Sequence, residues 1–149
     1  MLGLPKRTLV AIEAVLDIAY NAGGVPVQST DITARQGIAR RSLEPILQQL
    51  TRAGILEGVR GPKGGYRLAR ERRRISLGEI VRVVAGADDA EIADAAGSEL
   101  GQRVVRPLWV DLGADVMGRL NGVTLEDLCR RAHDAGIASQ SANTLDFTI

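Results

Sequence analysis

The stretch DITARQGIARRSLEPILQQLTRAGILEGVRGPKGGYRLA, residues 31–69, decides the fold. Its middle part, Arg40 to Ala53, places Leu43, Ile46, Leu47 and Leu50 at i, i+3, i+4 and i+7, the stripe of an amphipathic helix that Gly54 ends. A shorter helix precedes it, with Ser29 as its expected N-cap, Ile32 on its inner face and Gly37 at its end. Two helices joined by the turn Gly37-Ile38-Ala39 form a helix-turn-helix pattern. That pattern alone is common to many small helical bundles. Two short apolar runs follow, Ile55 to Val59 and Tyr66 to Ala69, around the loop Arg60-Gly61-Pro62-Lys63-Gly64-Gly65, which predicts a β-hairpin. A hairpin directly after a helix-turn-helix is a wing, and this conjunction is far more specific than either half. Pro45 has no N–H to give the Arg41 carbonyl, so the first turn of its helix is expected to be loose or tightened.

Working toward the N-terminus, Pro5 to Asn21 reads as a helix ended by Gly23-Gly24, with Leu9, Ile12, Val15, Leu16 and Ala19 as its buried face. Val25-Pro26-Val27 is short and proline-bound, so it can be no more than an edge strand. Toward the C-terminus, Ser76-Leu77-Gly78-Glu79 is a capping box that opens a helix with Leu77, Ile80, Val81 and Val84 inward. Residues 86–97, GADDAEIADAAG, are small and acidic and read as a loop. A long helix is predicted from about Ser98 to Leu120, with Leu100, Val104, Leu108, Leu112 and Val116 at every fourth position. Pro107 should kink it or mark where it properly begins. A last helix opens at Thr124-Leu125-Glu126-Asp127 and runs to about Asp134.

Composition narrows the function classes. Apolar residues make up 45% of the 149, enough for a real core, but aromatics only 3%, so that core must be aliphatic and favours helices. No apolar run is long enough to span a membrane, and Glu13 and Asp17 interrupt what would be the core of a signal peptide, so a cytoplasmic protein is expected. The net charge of +1 hides an asymmetry. Residues 1–74 carry 13 Lys and Arg against 6 Asp and Glu, whereas residues 75–149 carry 6 against 12. A basic half joined to an acidic half suggests a polyanion-binding module and a second module with another task.

The candidate contacts follow from the helical stripe. With Leu43, Ile46, Leu47 and Leu50 inward, Arg40, Arg41, Ser42, Glu44, Gln48 and Arg52 face outward. Such a set suits a major groove: Arg pairs with guanine or phosphate, Glu accepts from the cytosine amino group, and Gln pairs with adenine. In the wing, Arg60 and Lys63 supply charge, and glycines allow a close approach to a phosphate or simply satisfy φ > 0. The run Arg70, Arg72, Arg73, Arg74 either extends the phosphate strip or is solvated surface.

These residues resemble the IscR, NsrR and CymR family of bacterial regulators, also called the Rrf-two family. The resemblance covers about residues 5–131. VRGPKGGYRLA at 59–69 is close to the family's characteristic wing, and PLWVDLG at 107–113 and LNGVTLEDL at 120–128 are similar to its dimerisation helix and the short helix after it. It implies a homodimer on double-stranded DNA with a partly palindromic operator. It also implies base contacts at Ser42 and Glu44 and a wing contact at Arg60; Arg41 and Lys63 are added from their chemistry. The expected fold is mainly α with a small β-hairpin. It comprises a winged helix-turn-helix domain over 1–85, an acidic loop at 86–97, a dimerisation helix with a short following helix over 98–135, and a disordered tail at 136–149.

One departure matters. Many members hold an iron–sulfur cluster with three cysteines before the long helix. Here that segment, AEIADAAGSELGQRVVRPLW at 90–109, has no cysteine; Glu91, Gly97 and Arg103 fall where the thiolates would be, and Arg106 where some members place a histidine. No cofactor is therefore expected, and the sensor is open. Cys129 and His133 stand at i, i+4, but Cys129 shares the apolar face of Leu125 and is expected to be a small hydrophobe rather than a metal ligand. Cys129 as a redox thiol, or Trp109 with Arg106 beside an anionic effector, are the remaining sensor candidates, and the acidic loop is the natural lever. The function expected is a DNA-binding regulator, a repressor, and not an enzyme, because one His and one Cys make no catalytic constellation. The rival reading is a protein-interaction module that keeps the winged fold without specific DNA binding.

Overall fold

The computed structural model describes residues 5–85 and 97–140. Helix α1 (Lys6–Tyr20) runs through the middle of the structure. It touches α2 (Ser29–Gln36), α3 (Arg40–Arg52), α4 (Leu77–Ala85) and α6 (Leu125–Asp134). Its buried face is not the expected one. Ala11, Ala14, Val15, Ile18 and Ala19 are buried, Ile12 and Leu16 only partly, and Leu9 is 46% exposed. The helix is apolar around much of its circumference. The side rich in alanine goes inward because small side chains let several neighbours approach closely.

Helix α3 packs the expected stripe, with Leu43, Leu47 and Leu50 fully buried and Ile46 nearly so. Full burial of each Leu contributes about 1.5–3 kcal/mol. Pro45 lies within the helix, and the first turn is tightened, with Ser42 N–H as well as Leu43 N–H donating to the Ala39 carbonyl. Ser29 is the first helical residue of α2 and not its N-cap. Gln28 holds that position without a side-chain cap, and the Ser29 carbonyl accepts from Thr33 Oγ1.

Strands β1 (Leu56–Val59) and β2 (Gly65–Leu68) form an antiparallel hairpin with Leu56 opposite Leu68 and Val59 opposite Gly65. Val27 adds a single bridge on the free edge of β2, exchanging backbone hydrogen bonds with Tyr66 at 2.8 and 2.7 Å. A 3-10 turn over Arg72–Arg74 leads to α4, whose capping box is formed: Glu79 N–H donates to Ser76 Oγ and Ser76 N–H to Glu79 Oε2.

The long helix begins with a π-helical turn over Gly101–Val105 and continues as α5 (Arg106–Asn121). Pro107, in the first α turn, lacks an N–H, and its ring would crowd the carbonyl one turn back. The wider π turn before it, with Arg106 N–H bonded to the Gly101 carbonyl, relieves that conflict. Helix α5 packs beside α4, and Gly78 makes room there: a Cβ would stand 1.8 Å from Asn121 Oδ1. No residue of α5 is buried within the chain, and Leu108 is 56% exposed.

The chain then returns to the winged unit. Leu77 N–H bonds Val123 O and Leu125 N–H bonds Ile75 O, so α6 starts against the strand-like segment before α4. Thr124 and Asp127 form the second capping box. Leu125 and Cys129 join the same core as α1 and α3, so α6 is structurally part of the winged unit rather than an appendage of the long helix. Residues 137–140 are not a free tail either. Tyr20 Oη donates to the Ile137 carbonyl, Ser139 Oγ to the Tyr20 carbonyl, and Gln140 N–H to Asn21 Oδ1. The acidic stretch expected as a loop lies outside the described residues except for Gly97, as do residues 141–149 of the expected tail.

Candidate nucleic-acid interface

The orientation of α2 and α3 is fixed from beneath. Asp17 on α1 has a side chain with 0% exposure, and it accepts three hydrogen bonds from α2. Arg35 Nε and Nη2 donate at 2.9 and 2.8 Å, and Gln36 Nε2 at 2.7 Å. Gly37 then turns the chain in the left-handed region at φ 66° and delivers it to α3. On the other side of α3, Gln49 accepts from Arg7 Nη2 and donates to the Val83 carbonyl, tying the helix to α1 and α4.

The outward face of α3 is as predicted in composition. Arg40, Arg41, Ser42, Gln48 and Arg52 are exposed, and Glu44 is half-buried. Within it, Arg40 Nε donates to Glu44 Oε1 at 2.8 Å, so one member of the set already holds another. Helices α4 and α6 each carry a capping box, but α3 has Ala39 at its N-cap, no side-chain cap and no acidic residue in its first turn. Free N–H groups, the positive end of the helix dipole and two arginines therefore coincide there. That arrangement weakens the helix and favours an anion.

The wing loop has a different logic from the one its sequence suggests. A Cβ on Gly64 would stand 2.2 Å from the Val59 carbonyl oxygen, and one on Gly65 would stand 2.5 Å from that of Val27. These two glycines admit the protein's own backbone. Gly61, at φ 109° with open space around it, is the one whose conformation shapes the tip. Gln28 Nε2 reaches the Pro62 carbonyl at 3.4 Å and ties the tip to the start of α2. Arg60 and Lys63 are exposed.

Ion pairing sorts the cations. Arg67 pairs with Glu57 across the hairpin, Arg70 with Glu79, Arg72 with Glu126 and Arg73 with Glu71. Most of the arginine run at 70–74 is thus spent on intramolecular partners. Among the described residues, no ion pair engages Arg41, Arg52, Arg60 or Lys63.

The sensor candidates are not brought together. Cys129 is buried in the core of the winged unit, and burial pushes its thiol pKa up, with the Arg72 guanidinium pulling against it. His133, one turn on, is exposed, and no group of three or more His, Cys, Asp or Glu side chains among the described residues could hold a metal ion. Trp109 and Arg106 lie on exposed α5. The Asp17 clamp was not foreseen. Its only sequence signal is a charged residue between apolar neighbours on the inner face of α1.

The arrangement has known counterparts. A family model, Rrf2, described as an iron-dependent transcriptional regulator, matches residues 4–131. The HTH-type transcriptional regulator IscR of Citrobacter koseri is 32% identical across 98% of each chain. That of Photobacterium profundum is 38% identical, spanning 85% of this chain and 75% of its own. The solved T. potens IscR matches with a TM-score of 0.75 at 30% identity, covering 93% of each chain. CymR, the global cysteine regulator of B. subtilis, matches at 0.69 and 27% identity, covering 88% of this chain and 98% of its own.

Proposed function

The chain belongs to the Rrf2 family of DNA-binding transcriptional regulators, and on that premise we propose that it is a homodimeric repressor of a partly palindromic operator, read by α3 and the wing. The observation that carries this reading is that Arg41, Arg60 and Lys63, on an uncapped recognition helix and a wing tip, have no ion pair among the described residues, while neighbouring arginines are neutralised. Phosphate contacts from these cations supply affinity. Ser42, Glu44 and Gln48, with Arg40 beside Glu44, face the base edges and supply sequence choice. Because no residue of α5 is fully buried within its own chain, a second copy packed on Leu108, Leu112 and Val116 explains its exposed apolar surface. Two-fold pairing spaces the reading helices for successive major grooves, about 34–36 Å apart. Occupying an operator is by itself enough to block transcription, and that is the mode of repression proposed. The place of action is the cytoplasm; no helix among the described residues is long and apolar enough to cross a membrane.

The residues do not fit a family-type iron–sulfur centre. The chain has one cysteine, Cys129, and it is enclosed in the core. The regulator therefore works without that cluster. Binding-site selection with the purified protein tests the function. The expected result is a partly palindromic motif bound by a dimer, from protein that is colourless and iron-free after anaerobic handling. Selection that enriches no motif would overturn the reading.

A further inference from the structure

We infer that Arg40 is a positioning residue for sequence readout, holding the Glu44 carboxylate toward a base edge rather than holding a DNA phosphate itself. This rests on the operator-binding reading above. Arg40 Nε donates to Glu44 Oε1 at 2.8 Å, and Glu44 Oε2 takes no hydrogen bond among the described residues. One oxygen is thus anchored and the other is free to accept from a cytosine amino group.

Helix stability does not explain the pair. Exposed ion pairs contribute little, and these side chains keep 69% and 43% exposure. The order is also unfavourable. Arg40 opens α3 and Glu44 stands one turn later, whereas the dipole of a helix favours the acid nearer its N-terminus and the base nearer its C-terminus. Arg41 adds a second cation to that turn, which holds no acidic residue.

Readout does explain it. A bare carboxylate approaching a duplex meets the phosphate field and is repelled. Arg40 neutralises that charge and fixes the side chain before DNA arrives, so less freedom is lost on binding. Arg41, adjacent in sequence and without an ion pair among the described residues, is left for the phosphates.

A double-mutant cycle over Arg40→Ala and Glu44→Ala tests this, using a selected operator and the same operator altered at the position whose preference Glu44→Ala abolishes. Thermal melts first establish that both substitutions leave the fold intact. In the otherwise native protein, Arg40→Ala is expected to cut discrimination at that position by about fivefold or more. Its salt slope should change by much less than the roughly 0.9 that one lost phosphate contact removes. In the Glu44→Ala background, Arg40→Ala should change neither quantity, and Arg40→Lys in the native background should restore most of the discrimination. Three results would overturn the inference: an equal loss of affinity in both backgrounds, a slope reduced by about one, or no loss of discrimination in either. If the native protein selects no sequence at all, the operator-binding reading falls, and this inference with it.

Discussion

Replacing Asp17 with Asn should loosen the reading head from beneath. The substitution keeps size and shape but removes the charge that three donors share: Arg35 Nε, Arg35 Nη2 and Gln36 Nε2. An amide presents one oxygen and turns an N–H₂ toward donors, leaving the guanidinium with an unmet bond. Removing one partner of a fully buried pair costs about 3–5 kcal/mol. Arg35 retains 29% side-chain exposure, so water recovers part of that, and the expected loss is about 2–3 kcal/mol. For a chain of this size that lowers Tm by about 5–10 °C, measured by circular dichroism at fixed protomer concentration. Operator affinity should fall as well, because the clamp sets how α2 presents α3. Adding Arg35→Met, which replaces the orphaned cation with an apolar side chain, should recover part of the lost stability. An Asp17→Asn protein that melts within about 1 °C of the native one would refute the reasoning, as would a double variant whose loss equals the sum of the singles.

Two further perturbations separate packing from recognition. Gly65→Ala places a methyl 2.5 Å from the Val27 carbonyl oxygen at a backbone φ of +152°. It should break the Val27–Tyr66 bridge and cost about 2 kcal/mol in urea unfolding, whereas Gly58→Ala, with nothing within 4 Å, should be nearly neutral. Ala39→Asp should do opposite things to stability and function. It supplies the missing cap and a favourable dipole interaction, raising stability by about 1 kcal/mol, and it places a negative charge where phosphate binds, lowering operator affinity by about tenfold.

Much of the winged unit was legible because its signals are local. The stripe Leu43–Leu50, the box at Ser76–Glu79, the helix start at Thr124 and the effect of Pro107 each depend on residues within one or two turns. What was missed depends on distant partners. Asp17 reads only as a charge interrupting an apolar stretch until Arg35, 18 residues later, is placed against it. Leu9 looks like core because α1 is apolar on two sides, and only the arrival of α3, α4 and α6 on the alanine side decides between them. Residues 137–140 dock mainly through main-chain groups, which leave no periodicity to read. The sequence left open whether the wing glycines approach a phosphate or serve the turn, because the backbones they admit, Val59 across the hairpin and Val27 before α2, are set only by the folded pairing. At the candidate interface the residue types were legible and their pairing was not. Which arginines are free and which are neutralised follows only from the tertiary arrangement.

The salt dependence of operator binding tests the central claim most directly. Affinity for a selected duplex, followed by fluorescence anisotropy between about 50 and 200 mM salt, should fall with a log–log slope of several units. Arg60→Ala should weaken binding by about five- to a hundredfold. A flat salt response, together with unchanged affinity in the Arg60→Ala protein, would contradict a regulator that reads DNA with α3 and its wing.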